Sequence, residues 1–207
     1  LLVPGVDFRI RIAPIRQQRE MQIAILGGEI VNLEAVNALL DIRRTGQQDG
    51  HHHHGAQFRG HAVQQFEAGQ PVEIQDSAGK RLGSGYVNPH ALICARLVSR
   101  DVDHVLGKSL LVHRFKVALG LRERLFDKPY YRLAYGEGDG LPGLIVDRYG
   151  DTLVAPINTA GMERVKADIV TALRETVRPA RLIFRNDGSG RELEQLDKYT
   201  VTALGET

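Results

Sequence analysis

The chain has 207 residues, 43% of them hydrophobic and 25% charged, with a formal net charge of +2. This is the composition of an ordinary globular protein, with room for one large domain or two small ones. It excludes a polycation, and no apolar run reaches the roughly 20 residues of a membrane-crossing helix.

Residues 1–64 have a texture of their own. The opening Leu-Leu-Val-Pro-Gly lacks the charged n-region and long apolar core of a secretory signal. Met21-Gln-Ile-Ala-Ile-Leu-Gly-Gly predicts a strand ending in a glycine turn. Glu29 to Arg44 predicts a helix, with Ile30, Leu33, Val36, Leu39 and Leu40 at helical spacing. Strand, Gly27-Gly28 and helix is the order of a nucleotide-binding start, but the spacing is not GxGxxG and no second βαβ unit follows. Thr45 to Gly50 and the run His51 to His54 read as a loop with a tag-like tract. A bare histidine run has neither the fixed ligand spacing nor the supporting partners of a structural metal site, so no metal is expected.

From Phe66 the pattern changes. Strands are predicted at Pro71–Asp76, Arg81–Val87 and Ala91–Val98, with turns at Ser77–Lys80 and Asn88–His90. Alternation in the third strand puts Ile93, Ala95 and Leu97 inward, and Cys94, Arg96 and Val98 on the other face. Gly83 and Gly85 inside a strand predict a bulge or a close backbone approach. Cys94, the sole cysteine, can form no intramolecular disulfide, which suits a reducing, cytoplasmic setting. It lies mid-strand with no base nearby in sequence and reads as a small core residue.

A helix is predicted over Asp103–Phe126, with Leu111, Phe115, Ala118, Leu119 and Leu125 near one face. Tyr131–Tyr135, Leu144–Arg148 and Asp151–Ile157 read as strands. A second helix follows over Gly161–Val177, with Met162, Val165, Ile169, Ala172 and Leu173 inward, and then a closing strand over Arg181–Arg185. The order α-β-β-β-α-β describes a small α+β domain. After Arg185 no terminating element is predicted. From Arg96 to Arg132 nine basic residues stand against four acidic ones, an excess of five in a chain whose net charge is +2. Such a band suits a phosphate backbone, and equally a solvated helix face.

The segment GEGDGLPGLIVDRYGD, Gly136 to Asp151, holds the densest cluster of special residues. A phosphate loop needs a helix after its glycines, but here a strand follows and no GK[ST] is present. Glu137, Asp139, Asp147 and Asp151 could form an acid–base pair, or cap backbone amides in turns. A hairpin fits best: Gly138, Gly140 and Gly143 allow positive φ and Pro142 fixes a corner. Arg148 and Tyr149 then emerge at the far end, to meet RNA through charge and stacking or to cover the sheet end. No GxSxG, HExxH or CxxC occurs in the chain.

Three segments (68–101, 108–126 and 131–151, with DGLPGLIVDRYGD the most specific) together resemble the bacterial 23S rRNA (cytosine-5)-methyltransferase I family. Its members are class I S-adenosylmethionine-dependent RNA methyltransferases, and the resemblance covers about residues 65–207. It implies an α+β chain with three parts. These are an atypical N-terminal segment over 1–64, a PUA-like β part over 65–101 and a middle α+β domain over 102–207. The family's Rossmann-like methyltransferase domain, which binds S-adenosylmethionine and carries the catalytic cysteine, has no counterpart in the segments given. No catalytic or cofactor-binding residue is therefore expected here, and Cys94 is not that nucleophile. The family's N-terminal Gly-His-x-Trp strand is also missing: there is no tryptophan, and only Arg59-Gly60-His61 stands near it. The implied function is to bind and position ribosomal RNA for methylation at C5 of a cytosine. A stand-alone RNA-binding module without catalytic activity is the alternative. The expected RNA contacts are Arg96, Arg100, Lys108, Arg114, Lys116, Arg148 and Tyr149, with no membrane partner. Strand edges left open by a replaced N-terminal half would favour a homo-oligomer.

Overall fold

The structure, a computed structural model, describes residues 10–12, 21–23, 66–75 and 80–206. Strands β1 (Ile10–Ile12) and β2 (Met21–Ile23) pair antiparallel. β2 is the start of the strand expected from Met21. The predicted helix over Glu29–Arg44, the histidine tract and most of the turn beginning at Ser77 lie outside the described residues.

The second sheet has the order β3-β4-β5, all antiparallel, formed by Gln70–Gln75, Arg81–Val87 and Ala95–Ser99. Val72 and Ile74 are buried at the alternating positions of β3. The two strand glycines do what their spacing predicts. A Cβ at Gly83 would lie 2.0 Å from the Ser99 carbonyl and one at Gly85 2.2 Å from that of Arg96. Only glycine lets β5 approach so closely, and the pairing register shifts between Ser84 and Gly85. Two expectations fail here. The third strand starts at Ala95 rather than Ala91, because the Asn88 side chain accepts the His90 amide and turns the chain. Its faces are also reversed: Cys94 and Val98 are buried, whereas Leu97 is 40% exposed. Val98 packs with Tyr86 and Leu110, so what lies over the sheet decides the inward face, not the alternation within the strand.

The third sheet has the order β10-β9-β8-β7-β6. Strands β6 (Tyr130–Tyr135), β7 (Ile145–Tyr149) and β8 (Thr152–Val154) form an antiparallel meander. The chain then crosses over through two helices to β9 (Arg181–Asn186), parallel to β8, and returns in β10 (Tyr199–Leu204). Helix α1 (Lys108–Leu125) precedes this sheet, and α2 (Ala160–Arg164) and α3 (Lys166–Thr176) form the crossover. The result is α+β, as the element order predicts.

The differences from expectation are local. α1 begins at Lys108, not Asp103, because the Asp101 carboxylate accepts the Asp103 amide and holds a turn. Leu125, expected inward, is 65% exposed, one turn beyond the point where α1 leaves the core. The second helix breaks at Val165. β10 and a short 3-10 helix over Ser189–Glu194 have no counterpart in the expected elements. α1 and α3 cover one face of the five-stranded sheet. Leu111, Phe115 and Ala118 from α1 meet Ile169, Ala172 and Leu173 from α3 over Leu133, Val146, Leu153, Leu182 and Phe184.

The two sheets meet through glycines. Gly161 in α2 lies flat beneath the Tyr86 ring, where a Cβ would sit 2.2 Å from Cγ; at Gly69, with φ +77, a Cβ would sit 2.4 Å from the Ala160 carbonyl. Gly161→Ala must displace a buried aromatic ring. It is expected to lower stability by about 1–3 kcal/mol, read as a reduced urea midpoint at unchanged m-value; an unchanged midpoint would show that the ring yields freely.

Candidate nucleic-acid interface

A buried polar network binds the two sheets together. The Tyr86 hydroxyl donates to the Pro142 carbonyl at 2.9 Å and lies 2.9 Å from the Thr159 hydroxyl. Burial pushes its phenol pKa up, so it remains a donor. Asn88 donates to the Glu194 carbonyl at 3.0 Å and to its Oε2 at 2.8 Å. The Ala160 amide donates to the same Oε2 at 3.2 Å, and Arg96 Nη2 lies 3.3 Å from Oε1. Arg96 also donates through Nη1 to Glu137 at 3.0 Å. The Glu194 side chain is 5% exposed, so this carboxylate exchanges water for three donors from three segments.

The glycine-rich segment is a hairpin connection, as its order of elements predicts. Gly136–Asp139 forms a 3-10 helix, and the flanking β6 and β7 pair antiparallel. Gly136, Gly140 and Gly143 take positive φ, while Gly138 does not. Its carboxylates hold the turn in place. Asp139 accepts a bidentate pair from Arg122, both at 2.7 Å, and the Tyr135 amide at 2.7 Å. Asp147 is bridged by Arg132 at 2.7 and 3.1 Å. The glycines open no cradle for a cofactor. A Cβ at Gly140 would strike the Arg114 guanidinium and one at Gly143 the Thr159 side chain, so both spaces are already filled. Cys94 is buried and its thiol is pushed up to about 11 by desolvation, which leaves it unreactive.

The expected RNA-contact residues divide into three groups. Arg96 and Arg114 come together at the junction. The Arg96 side chain is 14% exposed between its two carboxylates, and Arg114 donates to the Val98 carbonyl at 3.1 Å. Arg100, Lys108 and Lys116 lie on the surface at the end of β5 and along α1. Arg100 and Lys116 have no hydrogen-bond or ion-pair partner among the described residues, while Lys108 meets Glu175 in an exposed pair at 3.0 Å. Arg148 and Tyr149 stand at the opposite end of β7 from the glycine turn. Arg148 donates to the Gly150 carbonyl and to the Tyr131 hydroxyl, and Tyr149 is 56% exposed. The seven residues thus do not form one continuous surface.

A second polar cluster has no signature in the sequence. Glu163 accepts from Tyr199 at 2.6 Å, Lys166 at 3.0 Å and Arg191 at 2.9 Å, and Arg191 also donates to the Ile157 and Asp197 carbonyls. Burial works to raise the Glu163 pKa, but the hydrogen bonds from Tyr199, Lys166 and Arg191 outweigh it and hold it below the ordinary value. The cluster fastens the segment after β9 to the start of α3. Apart from the i,i+3 pair of Glu163 and Lys166, its members are far apart in the chain, and no local pattern brings Arg191 and Tyr199 to them.

A family model described as a PUA-like domain matches residues 58–100. The ribosomal RNA large subunit methyltransferases I of Erwinia tasmaniensis and Aliivibrio fischeri are 34% and 35% identical over 143 residues, 68% of this chain and 36% of each relative. The chain carries a PUA-like domain and is homologous to ribosomal RNA large subunit methyltransferase I. It spans about a third of the length of these curated relatives. Among solved structures, a putative SAM-dependent methyltransferase from Streptococcus mutans shares the fold with TM-score 0.57 and 19% identity. That match covers 68% of this chain and 36% of the other. Among the described residues no helix is long and apolar enough to cross a membrane.

Two outcomes test the polar networks. Glu194→Ala leaves the Arg96 charge with one exposed partner and is expected to destabilise the fold by about 3–5 kcal/mol, measured by denaturant unfolding. Because the Glu163 pKa is lowered on folding, its contribution is complete above the ordinary 4.5 and is lost as pH falls below that value. Melting temperatures between pH 7 and pH 3 should fall less steeply in Glu163→Gln than in the parent chain.

Proposed function

We propose that this chain is the RNA-positioning portion of an S-adenosylmethionine-dependent methyltransferase acting on C5 of a cytosine in large-subunit ribosomal RNA. The observation that carries the reading is the homology to large-subunit rRNA methyltransferases across a stretch that here forms a PUA-like sheet locked onto an α+β unit. The chemistry is methyl transfer from S-adenosylmethionine, held by the part of such a protein beyond this chain. The residues described here bind and orient. Arg96 and Arg114 act as scaffold, since their guanidiniums already have partners at the junction. Arg100, Lys108 and Lys116 supply the phosphate contacts, because their ammonium and guanidinium groups face water and can trade counterions for phosphates.

Replacing Arg100, Lys108 and Lys116 together by alanine should weaken binding to an rRNA fragment. The slope of log K against log salt should fall by about 0.7 to 0.9 for each phosphate no longer neutralised, with the melting temperature unchanged. An unaltered slope would remove these residues from the interface.

A further inference from the structure

We infer that the face of the five-stranded sheet opposite α1 and α3 is a stacking platform for unpaired RNA bases. This rests on the RNA-binding reading above and names the form of RNA and a surface for it.

Among the described residues, α1 and α3 cover one face of that sheet. On the other face, cross-strand register lines up four residues from four adjacent strands. Tyr130 is opposite Tyr149, Tyr149 opposite Thr152, and Thr152 opposite Arg181. Residues directly opposite one another project to the same side with Cβ atoms about 4.5–5.5 Å apart, so Tyr130 and Tyr149 leave the sheet side by side. They are 65% and 56% exposed. Their neighbours on the same strands, Tyr131 and Arg148, point into the covered face, where Arg148 lies 5.8 Å from the Tyr131 ring. The tyrosines are held from behind. The Gly150 amide donates to the Pro129 carbonyl at 2.8 Å and Arg148 to the Gly150 carbonyl at 3.1 Å, which ties together the strand ends that carry both rings.

Charge on this face is positive. Arg181 is exposed with no partner among the described residues. Arg185 forms an exposed pair with Asp187 that opens at little cost to meet a phosphate, while Arg132 stays bridged to Asp147. The middle of the face carries the uncharged, half-buried residues Thr152, Val154 and Ile183. Aromatic rings on adjacent strands, flanked by arginine, are the arrangement by which open sheets stack successive bases of single-stranded RNA. Duplex RNA keeps its bases stacked inside and offers nothing to these rings.

The test uses the full chain, a fluorescently labelled single-stranded oligoribonucleotide and the same sequence as a duplex, with affinities read by anisotropy. Tyr130→Ala with Tyr149→Ala should weaken single-strand binding at least about tenfold, from the 5- to 150-fold expected for each base unstacked. Duplex binding should be unchanged. Tyr130→Phe with Tyr149→Phe should restore single-strand binding, because stacking needs the ring and not the hydroxyl. Parent chain that binds RNA, with single-strand affinity untouched in the alanine pair, would overturn this proposal alone. So would an alanine pair whose only change is reduced self-association in sedimentation, which would make the face a protein contact. A parent chain that binds neither RNA would overturn the broader RNA reading and this proposal together.

Discussion

The carboxylate of Glu194 is the constraint on which the arrangement of this protein depends. It is nearly inaccessible to water, and a carboxylate in that position is tolerated only with donors arranged around it. Those donors are the Asn88 amide, the Arg96 guanidinium and the Ala160 backbone amide. Two belong to the three-stranded sheet and one to the crossover helix of the five-stranded sheet. The charge therefore cannot be satisfied by either part alone. Hydrophobic contact at the junction is modest, with Tyr86, Val98 and Leu110 as its buried cluster. Apolar burial draws the two parts together, and the directional bonds select the docked orientation.

The covered face of the five-stranded sheet was legible in the sequence because it rests on short-range periodicity. Phe115 and Ala118, and Ile169, Ala172 and Leu173, recur at helical spacing and lie in the core as that spacing predicts. Gly83 and Gly85 were legible for another reason: a glycine inside a strand has few explanations, and close approach was one. What failed was information held elsewhere in the chain. The inward face of β5 depends on Leu110, fifteen positions after Ala95. β10 is rich in threonine and tyrosine, which suit a strand by propensity but look like a polar tail when no partner is in view.

Net charge along the chain says little about the site. The basic band between Arg96 and Arg132 is real as composition, yet its members do unlike things. Arg122 and Arg132 clamp Asp139 and Asp147, Arg96 bridges two glutamates, and Arg114 fills the space beside Gly140. A sequence cannot separate a guanidinium that braces a turn from one that waits for an anion, because the carboxylates that decide it are far away in number. Glu194 is ninety-eight positions from Arg96.

The packing of Gly161 beneath Tyr86 bears on how this protein can change over generations. The ring leaves no space for a methyl group, so position 161 cannot enlarge until position 86 has become smaller. Shrinking position 86 removes the hydroxyl that Pro142 and Thr159 share, and both then lose a partner. Each single step passes through a worse intermediate, and only a concerted change avoids it. Tyr86, Pro142, Thr159 and Gly161 are thus expected to drift as a unit.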